Sequence, residues 1–185
     1  MPTTRTSGSE ENRYNFGPAS SRDAVLFTAA RPGNPPAENK FDNIDDAVVM
    51  EWIQYMKHEQ GISHVLVLLD DNELESYLPT GLETLYQNGG LSYTIQPMKA
   101  PGAASTIFAR LDEAATRNER VVAHCTGGVG RSGRVAAGWL VHRYGLTPEA
   151  ATDETMQQAS NSGVQRKGNV EMLQAWLDAS KKDAA

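Results

Sequence analysis

The sequence predicts an α/β fold with a mostly parallel central sheet flanked by helices on both faces. Three observations carry that expectation. Short, uncharged, β-branched runs alternate along the chain with longer segments of helical period, the order from which parallel sheets are built. The run Val65-Leu66-Val67-Leu68-Leu69 is apolar on both sides, as a strand covered on both faces must be. Finally, Val121-Val122-Ala123 leads through His124 and Cys125 into a glycine-rich loop and then a helix-forming segment. Such strand-to-helix junctions are where open parallel sheets bind ligands.

The elements can be justified in order. Residues 1–12 are polar and without periodicity and are expected to form a disordered tail, with residues 13–182 forming one domain. Residues 24–28 read as a first strand, closed by Arg31-Pro32-Gly33-Asn34-Pro35-Pro36. A helix is predicted over 45–59, with acids in its first turn, Gly61 at its stop, and Val48, Trp52, Tyr55 and Met56 facing inward. A buried strand over 62–69 runs into a polar loop, Asp70-Asp71-Asn72-Glu73. A short helix over 79–87 stops at Asn88-Gly89-Gly90, residues 91–95 alternate like a strand, and 97–102 form a loop. An amphipathic helix over 103–119 uses Ile107, Phe108, Leu111 and Ala115. The helix behind the cysteine loop continues over 135–144 and stops at Gly145. Thr147-Pro148-Glu149 offers a cap, a proline at the first position and a first-turn acid for a helix to about 159. Asn161-Ser162-Gly163 breaks it, and a final helix spans about 168–179.

Size and composition exclude several classes. The 185 residues suffice for a full core, and 39% hydrophobic with 22% charged residues is ordinary for a globular chain. A net charge of −6 argues against nucleic-acid partners, whose phosphates attract basic surfaces. The single cysteine forms no internal disulfide, so nothing asks for an oxidising compartment. No run approaches the ~18 apolar residues that span a bilayer, and the first residues have no apolar signal core. A cytoplasmic protein without a membrane partner is the expectation; no residue pattern fixes an oligomeric state.

The chemistry concentrates in Cys125-Thr126-Gly127-Gly128-Val129-Gly130-Arg131-Ser132. The three glycines let the backbone take positive φ or turn its N–H groups inward. A helix opening near Arg131 adds unpaired N–H groups and a positive dipole end, which together bind an anion. That field favours the thiolate, the reactive form of cysteine. Arg131 offers a planar two-pronged donor to a phosphate-like group. These residues predict attack by Cys125 on the phosphorus of a phosphate monoester. The N–H groups of residues 126–131 and the Arg131 guanidinium hold the equatorial oxygens. Water then hydrolyses the phosphocysteine while Ser132 assists the departing sulfur. No metal or cofactor is required. His124, at a strand end beside the nucleophile, is read as orienting the loop.

Cys125-x5-Arg131-Ser132, preceded by His124 and followed by Gly133, resembles the signature of cysteine-dependent protein tyrosine phosphatases. The short chain favours the dual-specificity branch, and the Gly-Gly-Val-Gly-Arg-Ser loop is similar to its kinase-associated and archaeal members. The likeness runs from about 61 to 176 and includes Glu73, Tyr77 and Leu85-Tyr86-Gln87, but it is specific only around the cysteine. It implies a phosphorylated protein as partner, with phosphotyrosine, and also phosphoserine and phosphothreonine, within reach. Gly163-Val164-Gln165 resembles part of a segment whose glutamine places the hydrolytic water, which singles out Gln165. Asn12-Arg13-Tyr14 matches three residues of a phosphotyrosine-recognition motif in the large tyrosine phosphatases, too short a match to carry weight.

One departure from that family matters. Its members carry a general-acid aspartate on the loop after the strand that here spans 91–95, worth about 10²–10⁴ in rate. Residues 84–111 contain no Asp or Glu, and the loop reads Gln96-Pro97-Met98-Lys99-Ala100-Pro101-Gly102. Three expectations follow. A carboxylate from the neighbouring strand-end loop, first Asp71 and then Asp70 or Glu73, supplies the proton; or the substrate's leaving group needs little protonation; or the protein is chiefly a phospho-protein binding module with weak residual catalysis. Retention of Cys125 and Arg131 favours turnover. Sulfur transfer of the rhodanese type also uses a cysteine in a strand-to-helix loop, but the Arg131-Ser132-Gly133 ending fits it less well.

Overall fold

The computed structural model describes residues 12–34 and 43–183, so the expected tail, apart from Asn12, and Pro35-Pro36 lie outside the described residues. Five strands form one sheet in the order β1-β2-β5-β3-β4. They are β1 (Gly17–Pro18), β2 (Leu26–Ala30), β3 (His64–Val67), β4 (Ser92–Ile95) and β5 (Val121–Cys125). β2, β5, β3 and β4 run parallel, and β1 is antiparallel on one edge. β5 is the central strand. Ala30 of β2 sits opposite Cys125 and Val67 of β3 opposite His124, so the cysteine lies at the carboxyl end of the middle of the sheet.

Alternation along the buried strands sends side chains to two cores. Leu26, Leu66, Leu68, Ala123 and Cys125 join α4 (Ala103–Arg117), α5 (Gly130–Tyr144) and α7 (Val170–Asp183) on one face. Val65, Val67, Leu69 and Val122 join α1 (Asp46–Gln54) and α3 (Leu82–Gly89) on the other. α6 (Pro148–Ser162) packs outside α5, with Thr147 accepting from the Ala150 N–H as its cap. The predicted α/β class is therefore the observed one.

The differences are local. The helix predicted over 45–59 begins where Asp45 caps the Ala47 N–H at 2.8 Å, but its last turn, Tyr55–Glu59, widens to a π-helix. Its inward face is Val49, Trp52, Ile53 and Met56, while Val48 is 40% exposed. On α4, Ala114 rather than Ala115 completes the buried stripe. The loop expected at 70–73 is instead a one-turn helix, α2 (Asp71–Leu74), with Asp70 at its N-cap and the Asp70 N–H donating to Glu73 Oε2 at 2.8 Å. That Asp-x-x-Glu spacing is a capping box, a helix start rather than a loop. β1 has no strand signature at all: Gly17-Pro18 is tolerated because it lies on an edge.

Two histidines are sealed into the sheet. His64 bridges Ser92 Oγ and Thr94 Oγ1, each at 2.9 Å, and His124 is completely buried. Burial lowers their pKa values from 6.5 to about 4 and about 3 respectively. Because each folded value lies below the unfolded one, the unfolded chain binds more protons between them. Stability from this source is complete above about pH 6.5 and drains away as the pH falls toward 4. Denaturant unfolding at stepped pH is expected to give a constant free energy above that point. Below it, the free energy should decline by about 1.4 kcal/mol per pH unit for each histidine, with one share absent in His64→Gln.

Candidate active site

The strand–loop–helix order places Cys125 under the first turn of α5. Sγ is buried and receives a hydrogen bond from Ser132 Oγ at 3.1 Å. Both neighbouring strands brace the loop: the Leu68 N–H donates to the His124 carbonyl at 2.9 Å, and the Arg31 N–H to the Cys125 carbonyl at 2.9 Å. Gly128 has φ +70°, and a Cβ there would lie 2.4 Å from the Ala29 carbonyl carbon. Only glycine lets the loop rest this closely on β2.

His124 faces away from the loop, into the core. Its Nε2 shares a hydrogen bond with Tyr86 OH at 2.8 Å, and its ring stands edge-on to Trp52, whose Nε1 donates to the Ala30 carbonyl at 3.1 Å. With a pKa near 3 it is neutral at pH 7.

Arg131 is half-buried and fully engaged at both Nη atoms. Nη1 donates to Glu73 Oε2 at 2.6 Å and to the Leu68 carbonyl at 3.0 Å. Nη2 donates to Glu73 Oε1 at 2.7 Å and to Thr126 Oγ1 at 2.9 Å. Thr126 Oγ1 in turn donates to Glu73 Oε1. Of the five guanidinium N–H donors, only Nε–H is uncommitted among the described residues. Burial works against the Glu73 carboxylate, but the bonds from Arg131, Thr126 and the Asp70 N–H outweigh it and bring its pKa to about 2. The same pair raises Arg131 above its ordinary value. Glu73 is thus a permanent anion at neutral pH.

The other carboxylates of this segment are differently placed. Asp70 is the half-buried N-cap of α2, and Asp71, its first residue, is exposed with no polar partner among the described residues. Lys99 is exposed in the turn after β4, where Met98 instead points into the core that holds Cys125.

On the far side, one side chain ties three segments together. Asn15 Nδ2 donates to the Gly127 carbonyl at 3.0 Å, the Gly128 carbonyl at 3.4 Å and the Gln165 carbonyl at 3.0 Å. Its Oδ1 accepts from the Gln165 N–H at 2.8 Å. The buried Arg166 donates to the carbonyls of Asn15 and Thr28, both at 3.1 Å, and the Lys167 N–H donates to the Val129 carbonyl at 3.1 Å. Gln165 is therefore brought to the loop by its backbone, with its side chain exposed. Neither Asn15 nor the pairing of Glu73 with Arg131 was foreseen from sequence. The capping box could have placed Glu73 on a helix at the strand end; Asn15 carries no local signal. Among the described residues no three His, Cys, Asp or Glu side chains gather to hold a metal, and no helix is long and apolar enough to cross a membrane.

A buried thiol at the carboxyl end of a central parallel strand, a glycine loop with its carbonyls tied outward, and an arginine in the first turn of the helix that follows define a cysteine-based phosphatase of the tyrosine and dual-specificity class. Within that class, the chain belongs to the family described as "Tc-R-P: Polymorphic toxin system, DSP-PTPase phosphatase", whose model matches residues 45–145, more than half of the chain. No curated protein matches it. Among solved structures, it is similar to a kinase associated phosphatase (KAP) carrying serine at its catalytic cysteine, at 23% identity and TM-score 0.64 over 86% of this chain and 88% of that one. PTPMT1 in complex with PI(5)P gives 12% identity and TM-score 0.63 over 92% and 99%. Human DUSP28 gives 10% and 0.57 over 92% and 96%. At these identities the likenesses establish the fold, and they agree with its α/β order.

The ion pair generates a prediction. Glu73→Gln keeps the shape of the side chain but leaves the half-buried Arg131 uncompensated, and is expected to cost about 1–3 kcal/mol at pH 7. The carboxylate's folded pKa lies below its ordinary 4.5, so its contribution is present above pH 4.5 and lost as the pH falls toward 2. Denaturant titrations of the two proteins should converge over that window.

Proposed function

We propose that this phosphatase hydrolyses phosphomonoesters on proteins, phosphotyrosine foremost and phosphoserine and phosphothreonine as well, through a phosphocysteine on Cys125. The observation that carries the reading is the 3.1 Å contact from Ser132 Oγ to Cys125 Sγ beneath the α5 amino terminus, with Arg131 in the same loop. In the first step the Cys125 thiolate attacks phosphorus, an S–P bond forms and the ester P–O bond breaks. The N–H groups of Thr126, Gly127, Gly128, Val129, Gly130 and Arg131, at the positive end of α5, hold the equatorial oxygens. The Arg131 guanidinium, aligned by Glu73, offers its Nε–H and turns an Nη2–H from Thr126 Oγ1 to the phosphate, staying protonated throughout. In the second step water attacks phosphorus, the S–P bond breaks, inorganic phosphate leaves, and the Ser132 hydroxyl stabilises the thiolate as it departs. Gln165, fixed at its backbone by Asn15, aligns that water. His124, neutral and bonded to Tyr86, fixes the strand end from which the loop leaves. These steps call on no metal or cofactor.

The leaving oxygen takes its proton from Asp71. Elimination supports this choice: Glu73 is held ionised by Arg131, Asp70 is the cap of α2, and the loop after β4 contains no acid. Asp71 stands on the turn whose Glu73 touches the loop, exposed and free to approach a substrate.

Turnover of an aryl phosphate without added metal is expected to be abolished by Cys125→Ser; activity persisting in that variant would remove Cys125 as the nucleophile. A phospho-protein binding module predicts negligible turnover of phosphotyrosine peptides by the wild type. For the proton donor, the pH–rate profile of Asp71→Asn should lose its basic limb, with alkyl phosphates slowed by about 10²-fold or more and activated aryl phosphates much less. Superimposable profiles would exclude Asp71.

A further inference from the structure

A groove of about 450 Å³ runs between α5, α6 and α7 and begins at Gly130, where the Cys125 loop passes into helix. No carboxylate lines it. Its two charged residues are both cations, Arg134 and Lys167, in a chain whose net charge is −6. Arg134 lies one turn beyond Arg131, and Lys167 meets the loop only through its backbone N–H on the Val129 carbonyl, so both cations lie beside the loop while, among the described residues, neither side chain bonds to it.

Arg134 is unlike its fellows. Arg13, Arg22, Arg110, Arg117, Arg131 and Arg143 each have a carboxylate within 4.0 Å. Arg166 donates to backbone carbonyls, Arg31 to the Glu73 carbonyl, and Arg120 lies over the Phe27 ring. Among the described residues, Arg134 alone has only a sulfur, Met172 Sδ at 3.6 Å from Nη2. It is half-buried, and burial pulls its pKa below the ordinary arginine value. A partly desolvated guanidinium without an acceptor is unfavourable, and an incoming anion relieves it. Beside it, Met156 and Met172 expose 37% and 50% of their surface, flexible thioethers that adapt to varied apolar side chains.

We propose that this groove selects substrate by binding an acidic stretch of the phosphorylated polypeptide, with a carboxylate on Arg134 and Lys167 and an apolar side chain against Met156 and Met172, while the phosphorylated residue occupies the Cys125 loop. This rests on the protein-phosphatase reading above and names the kind of sequence that such a phosphatase prefers. Charge complementarity identifies the occupant, and Gly130, which lines the groove where the Cys125 loop passes into α5, places the two sites next to each other.

The test uses pairs of phosphotyrosine peptides identical except that Asp and Glu within four positions of the phosphoresidue are replaced by Asn and Gln. For wild type, kcat/KM is expected to be about tenfold higher on the acidic member, mainly through KM, with the gap narrowing as salt rises. R134Q with K167Q should erase the difference, and R134E should reverse it toward peptides with basic neighbours. Turnover of a small aryl phosphate should stay within about twofold in all three, which also reports that they are folded. Equal kcat/KM on the two peptides in wild type overturns the proposal, as does a preference that survives in R134Q/K167Q. Arg134-dependent sedimentation with phosphatidylserine vesicles, or Arg134-dependent self-association, without peptide discrimination also overturns it. Loss of all aryl-phosphate turnover in wild type would instead defeat the underlying phosphatase reading.

Discussion

The Glu73–Arg131 ion pair is the contact on which the site depends. A guanidinium that meets phosphate, as proposed for Arg131, cannot be left to swing, and it cannot be half-buried without compensation. Glu73 answers both demands with a two-pronged bond at 2.6 and 2.7 Å, and the Leu68 carbonyl and Thr126 hydroxyl take the remaining Nη protons. The same carboxylate accepts from the Asp70 N–H and so starts α2. One side chain thus sets a helix, a strand end and an arginine rotamer. The arrangement also removes Glu73 from acid–base chemistry, because the interactions that fix it are those that hold its pKa near 2.

The opposite side of the loop is held by neutral groups. Inward-pointing N–H groups require outward-pointing carbonyls, and buried carbonyls require donors. Asn15 supplies them for Gly127 and Gly128, Lys167 for Val129, and Arg31 for Cys125 and Thr126. These donors come from three separate segments, which explains why the described N-terminal residues wrap back across the sheet. Asn15 and Tyr14 both adopt positive φ, 51° and 60°, a conformation that asparagine accepts at small cost and tyrosine does not. The turn is held in place by the bonds that Asn15 makes beyond it.

How far the sequence discloses this follows from the range of each interaction. The sheet strands and long helices were legible because their signals are local: β-branched runs, 3–4 periodicity, and caps such as Asp45 and Thr147. The Cys125 loop was legible because one short stretch carries nucleophile, glycines and arginine together. α2 reads as a loop because four polar residues look alike until the Asp70–Glu73 spacing is taken as a capping box. The inward face of α1 excludes Val48 because the 100° helical step, and not apolar identity, decides burial, bringing Val49 and Ile53 to the side of Trp52. Asn15, more than a hundred residues from the carbonyls it holds, leaves no mark that periodicity or spacing can detect.

The absence of an acid between residues 84 and 111 acquires a structural setting from this arrangement. Met98 occupies the loop after β4 as a core residue of the cluster that contains Cys125, so that loop contributes apolar packing to the core beneath the site. On the proposed reading the proton comes instead from the end of β3, where α2 borders the loop through Glu73. An acid on that turn works only if it is not consumed by the ion pair that builds the turn. Asp71 meets this condition because it follows the cap and precedes Glu73, sharing their placement and none of their bonds. Two adjacent strand ends thereby take separate tasks: the β3 end carries arginine alignment and, on the proposed reading, the proton, and the β4 end carries packing.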